Sequence, residues 1–104
     1  MPRARDGVMT ATSDGDGDLA ALREKVERLD TELVSLLARR VALARDVGAY
    51  KRDSGLATLD AKREAAVLRR IGTLARDAGL PQEPVRQLFW TIIGICRHAQ
   101  EDSR

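Results

Sequence analysis

From Asp18 to Arg52 no proline interrupts the chain, and apolar residues return every three or four positions. They are Leu19, Leu22, Val26, Leu29, Leu33, Leu36, Leu37, Leu43 and Val47, which share one helix face. Asp18 is the expected N-cap, and Asp53-Ser54-Gly55 is the expected stop. At ~1.5 Å of rise per residue, about 34 residues make a rod ~50 Å long, whereas a compact domain of about 100 residues has a radius of gyration of only ~13 Å. Such a helix overreaches its own chain, so its apolar seam predicts a partner chain. Gly48 sits inside it at a cost of ~1 kcal/mol relative to Ala, and is expected to permit close approach rather than to break the helix.

The remainder reads as two shorter helices. Asp60 suits the N-cap of the second, which continues through Val67, Leu68, Ile71, Leu74 and Ala78 to a stop at Gly79. The third begins around Pro81 to Pro84, since proline is tolerated in a first turn. It runs through Val85, Leu88, Phe89, Ile92, Ile93 and Cys96 to about Gln100. No strand signal and no internal repeat compete, so the expected fold is all-α, a three-helix chain with a long first helix. Residues 1–17 are polar and rich in Gly and Asp, and are expected to form a disordered arm before a helical domain over residues 18–104. Met9 offers an alternative start within that arm.

Composition excludes several function classes. The 104 residues carry a formal charge of +2, with acids and bases interspersed, so no nucleic-acid surface is expected. The single Cys96 rules out an intrachain disulfide and fits a reducing compartment. No apolar run approaches the ~18 residues of a membrane span, and no signal peptide is legible. The expectation is a soluble, cytoplasmic protein without a membrane partner.

Two cations break the seam. Leu33, Leu37, Arg40, Ala44, Val47 and Lys51 follow one another at steps of four and three. An unpaired buried charge costs several kcal/mol, so Arg40 and Lys51 call for an anion. Their Cα atoms stand ~16 Å apart on nearly the same face, a gap two long side chains can close around one small, multiply charged anion. The alternative for Arg40 is snorkelling to solvent, as Arg39 beside it does; the repetition at Lys51 weakens it.

Other constellations read more plainly. Asp60, Arg63 and Glu64 share the first turn of helix 2, and spacing alone favours a cap with a solvated ion pair. Cys96 and Gln100 lie one turn apart; a cysteine on an apolar face is ordinarily a small core residue, and Gln100 near a helix end is ordinarily solvated. His98 points elsewhere and is expected at the surface. Arg23 is ~260° around the helix from Arg40, so the two cannot serve one site on one chain. By spacing Arg23 is an exposed residue beside Glu24 and Glu27, although an antiparallel helix pair can bring it to a second copy's Arg40.

These residues stand in a distinctive order. Leu22-Arg23-Glu24-Lys25, Leu29-Asp30, Leu36 to Arg40, Val47-Gly48 with Lys51, Asp60 to Glu64, then Leu88-Phe89 and Ile92-Ile93 before Gln100 resemble the all-helical AroQ-class chorismate mutases, in their short stand-alone form. The resemblance covers roughly residues 19 to 100. It implies an intertwined helical homodimer in which helix 1 spans two shared active sites. It implies that Arg40, with Arg23 of the other subunit, binds one substrate carboxylate and Arg63 the second. Lys51 and Gln100 would donate to the ether oxygen, and Glu64 with the Asp60 region would meet the ring hydroxyl. Cys96 departs from the serine that the family often places near the ring carboxylate, and a thiol is the weaker donor.

The implied reaction, a step of aromatic amino acid biosynthesis, is the unimolecular rearrangement of chorismate to prephenate. It requires no nucleophile, metal or cofactor. Arginine forks freeze the flexible ether in its compact conformer, and fixed donors stabilise charge on the breaking ether oxygen. Sibling chemistries on the same bundle are isochorismate pyruvate lyase and 4-amino-4-deoxychorismate mutase. A helical interaction module that depends on a pathway-enzyme partner is the alternative of a different class.

Overall fold

The structure, a computed structural model, describes residues 12–102. It contains three helices: α1 (Thr12–Asp53), α2 (Ala61–Asp77) and α3 (Gln82–Asp102). Among the described residues there is no strand, and no helix is long and apolar enough to cross a membrane.

The expected start of α1 at Asp18 requires correction, because the helix begins at Thr12. Residues 12–17, assigned to a disordered arm from sequence, are helical, whereas the rest of that arm lies outside the described residues. The apolar period marks where a helix has a face to bury; backbone hydrogen bonding extends past that point, since propagation adds one bond per residue once a nucleus exists.

The helix ends follow local chemistry. Gly55 takes φ of 71° after α1, and the Leu56 and Gly55 N–H groups donate to the carbonyls of Lys51 and Arg52. Gly79 takes φ of 76° after α2, and Leu80 and Gly79 donate to Ala75 and Arg76. Both are Schellman closures, which need a left-handed residue that only glycine supplies without strain. Asp60 caps α2 by accepting from the Arg63 backbone N–H at 2.9 Å. Pro84 falls in the first turn of α3, where a missing N–H leaves no bond unmade.

The chain divides into two units, through Leu36 and from Leu37 onward. In the first, every residue from 17 to 36 is exposed, including the apolar Leu22, Val26, Leu29 and Leu33. In the second, Ala44 of α1 packs with Cys96 and Ala99 of α3, flanked by Val41 and Ile92. Ile71, Ala75 and Ile93 are the other buried apolar residues. Leu74 and Leu88, apolar positions of α2 and α3, are exposed. Gly48 serves close approach as expected: a Cβ there would stand 2.7 Å from the Gln100 carbonyl oxygen and 2.8 Å from its Cα.

Candidate active site

Within the second unit, the C-terminal part of α1, the start of α2 and the end of α3 line a cavity of about 340 Å³. Pockets of ~300 to 1,000 Å³ take small molecules. Helix α1 presents Arg40, Ala44, Val47 and Lys51, which the three-and-four spacing keeps on one face. The first turns of α2 present Asp60, Arg63, Glu64 and Val67 by the same rule. Ile93, Cys96 and Gln100 close the third side from α3.

The acids of this cavity are engaged within the protein. Asp60 spends a carboxylate oxygen on its cap. Glu64 is gripped by both arms of Arg97, with Nε donating to Oε2 at 2.9 Å and Nη2 to Oε1 at 2.7 Å. These side chains are 18% and 28% exposed respectively. The Arg97 hydrogen bonds hold the Glu64 carboxyl below the ordinary carboxylate range, against the opposing pull of burial and of the nearby Asp60 charge. The same hydrogen bonds raise the Arg97 guanidinium.

The cations have no such partners. Arg40 is half-buried and directs Nη1 at the Cys96 sulfur, 2.9 Å away. Lys51 is also half-buried and donates Nζ to the Thr58 carbonyl at 2.9 Å and to Gln100 Oε1 at 3.3 Å. Arg63 is exposed on the rim. Among the described residues none of the three makes an ion pair. An ammonium only donates, so Gln100 turns its oxygen to Lys51, which leaves its amide hydrogens without an acceptor among the described residues. Three cations and a neutral donor thus surround a void whose two carboxylates each already accept from a donor of the protein. The arrangement suits a small polyanion.

Arg40, Lys51, Asp60, Arg63, Glu64, Cys96 and Gln100, all singled out from sequence, are brought together here. Arg23 belongs to the other unit and is exposed. Cys96 is buried in the core, as expected of a cysteine on an apolar face, and also lines the cavity. Asp60 likewise both caps and lines. His98 is exposed, as expected. The sequence reading missed Arg97 and Arg52, whose Nη1 donates to the Gln100 carbonyl at 2.7 Å. Arg97 carried a legible signal, standing four residues after Ile93 and three before Gln100 on one stripe, the same anomaly that marked Arg40. Nothing in the spacing of Arg52 named its acceptor.

Residues 22–101 match the family chorismate mutase type II. The chain is 40% identical over 78 residues to the bifunctional chorismate mutase/prephenate dehydratase of Escherichia coli strain K12, covering 75% of this chain and 20% of that protein. It is 37% identical over 84 residues to a 3-dehydroquinate dehydratase of Pyrobaculum aerophilum, covering 81% of this chain and 24% of that one. It therefore spans about a quarter or less of these two relatives. The chorismate mutase of Methanocaldococcus jannaschii is 29% identical over 75 residues, 72% of this chain and 76% of its own length. A solved structure, a conserved hypothetical protein from Pyrococcus furiosus, superposes with a TM-score of 0.64 at 28% identity, over 88% of this chain and 99% of that one. The family match takes in well over half of the sequence, all of α2, most of α1 and α3, and every residue of the cavity, and on that ground the chain belongs to the type II chorismate mutases.

Proposed function

We propose that this protein is a chorismate mutase, converting chorismate to prephenate in aromatic amino acid biosynthesis. The observation that carries the reading is the cavity's imbalance: Arg40, Lys51 and Arg63 face it without carboxylate partners among the described residues, while Asp60 and Glu64 are engaged elsewhere. A dicarboxylate substrate supplies the missing anions. Arg40 and Arg63 each bind one carboxylate, Arg40 together with Arg23 of a second copy, and so hold the enolpyruvyl side chain over the ring. In that folded conformer the carbon–carbon bond forms as the ether carbon–oxygen bond breaks, and no group leaves the molecule. Lys51 and the Gln100 amide donate to the ether oxygen as negative charge grows on it. Glu64 and Asp60 accept from the ring hydroxyl.

The proposal includes a homodimer with shared sites and a cytoplasmic location, the latter supported by the free thiol of Cys96. Incubating the pure protein separately with chorismate, isochorismate and 4-amino-4-deoxychorismate, and identifying each product, tests the reaction. Prephenate from chorismate is expected. Consumption of either analogue with chorismate untouched would replace this reading by the corresponding sibling chemistry, and turnover only after a pathway enzyme is added would favour the interaction module.

A further inference from the structure

Among the described residues, Glu64 is the only acid of the cavity held by a side chain from another helix. The Arg97 fork engages both of its oxygens, 2.9 Å at Oε2 and 2.7 Å at Oε1, across the α2–α3 junction. Arg97 itself does not line the cavity. It stands on α3 between Cys96 and Gln100, both of which do, so the junction that fixes Glu64 also fixes the α3 wall.

This geometry addresses a specific difficulty. A cavity for a dianion should not present a mobile carboxylate, because like charges at close range repel strongly where water is scarce. A protonated Glu64 would avoid the repulsion but would put a donor hydrogen on one oxygen and leave the other a weaker acceptor than a carboxylate. Pairing with Arg97 avoids both outcomes: the charge is compensated from behind, and each carboxylate oxygen keeps a lone pair for the cavity side. We propose that Arg97 is a positioning residue for the reaction, acting through Glu64 to present a fixed, ionised and charge-compensated acceptor to a hydroxyl of the substrate. The role assigned to the hydroxyl rests on the chorismate mutase reading above; the control of Glu64 does not.

The charged groups facing Glu64 are Lys51 from α1, Asp60 at the N-cap of α2 and Arg97 from α3, with Glu101 beside Arg97. Asp60 raises the Glu64 carboxyl and Lys51 lowers it, but the Arg97 hydrogen bonds are the largest influence. Removing Arg97 therefore shifts Glu64 upward, and protonation then sets in at a higher pH.

The test compares the full-length parent with Arg97→Leu and Arg97→Lys, reading the Glu64 carboxyl by carbon-13 NMR against pH, with Glu64→Gln to assign the signal. Separate kcat and KM values are measured across the same pH range. In the parent Glu64 should titrate below the ordinary carboxylate value, and in Arg97→Leu above the parent. The kcat/KM of Arg97→Leu should fall about ten- to a hundredfold at neutral pH, the span usual for losing a group that orients a ligand-contacting residue. Its acid limb should move to higher pH. Arg97→Lys, which keeps the charge without the fork, should lie between the two on every measure, and carries the test if the leucine variant does not fold. A Glu64 titration unchanged in the variants, or a kcat/KM profile that overlays the parent's, would overturn the proposal. Should the parent leave chorismate untouched, the functional reading falls, and the NMR titration alone still decides whether Arg97 governs Glu64.

Discussion

Lys51 and Gln100 form one unit out of two side chains: the ammonium holds the amide oxygen at 3.3 Å and so orients the amide hydrogens. Under the proposed mechanism they share the charge that grows on the ether oxygen, with unequal weights. Lys51→Ala removes a cation and releases the Gln100 amide as well, so kcat/KM should fall about a hundred- to a thousandfold, as for a preorganised oxyanion donor. Because Lys51 also ties down the Thr58 carbonyl, thermal unfolding should be followed in parallel; a loss of activity that merely tracks a loss of folded protein would count against the role. Gln100→Glu separates the two members. Its carboxyl can donate only when protonated, and the neighbouring Lys51 favours the ionised form. Activity should therefore survive on the acid side and collapse toward neutral pH, where a carboxylate repels the developing oxyanion. A kcat/KM profile parallel to the parent's from acid to neutral pH would remove Gln100 from the ether oxygen.

A close backbone contact helps to place the elements around that unit. Helices α1 and α3 approach so closely at Gly48 that any Cβ would meet the Gln100 backbone at 2.7 to 2.8 Å, and Arg52 clamps the same carbonyl from the next turn. Two effects oppose each other in Gly48→Ala. Helix propensity favours alanine by ~1 kcal/mol, whereas overpacking a close contact costs ~1–3 kcal/mol. The clash should prevail, because the atoms in the way are backbone and cannot rotate aside. The variant should keep its helicity by circular dichroism, lose thermal stability and lose kcat more than KM, since the displaced residue is the proposed ether-oxygen donor. A more stable variant of parental kcat would mean that α3 yields without consequence. This contact was foreseeable from sequence as a purpose for Gly48, but its partner was not, because helical period gives the face of a residue and not the register of the helix it meets. The same boundary runs through the rest of the chain. Asp60, Gly55 and Gly79 announced helix ends because caps are local chemistry, and Arg40 and Lys51 announced a site because a charge in an apolar stripe is a local anomaly. Arg97 carries that anomaly too, yet Cys96 and Gln100 drew the reading of α3. The start of α1 at Thr12 carried none, since residues 12–17 hold no apolar side chain from which a period could be read.

At the scale of the whole molecule, the N-terminal part of the seam that opens the sequence is exposed among the described residues. Leu22, Val26, Leu29, Leu33 and Leu36 are each more than half exposed, and an apolar stripe of that length is the signature of an interaction surface. The proposed occupant is a second copy, whose helix would bring its own Arg23 to the Arg40 side of this chain's cavity. Shared sites make a quantitative prediction. Arg23→Ala and Arg40→Ala homodimers should each be nearly inactive, because every site in either lacks one arm of the carboxylate clamp. In a mixed dimer the two defects fall together in one site and leave the other with both arginines. Random exchange makes half of the dimers mixed, so combining equal amounts of the two variants should restore about a quarter of the parental activity. Differently tagged chains, recovered through both tags, would verify the exchange. Recovery should depend on that exchange and rise with its time course. If mixed dimers are isolated and remain as inactive as either parent variant, the cavity does not borrow Arg23, and the carboxylate opposite Arg40 must be held by residues of one chain.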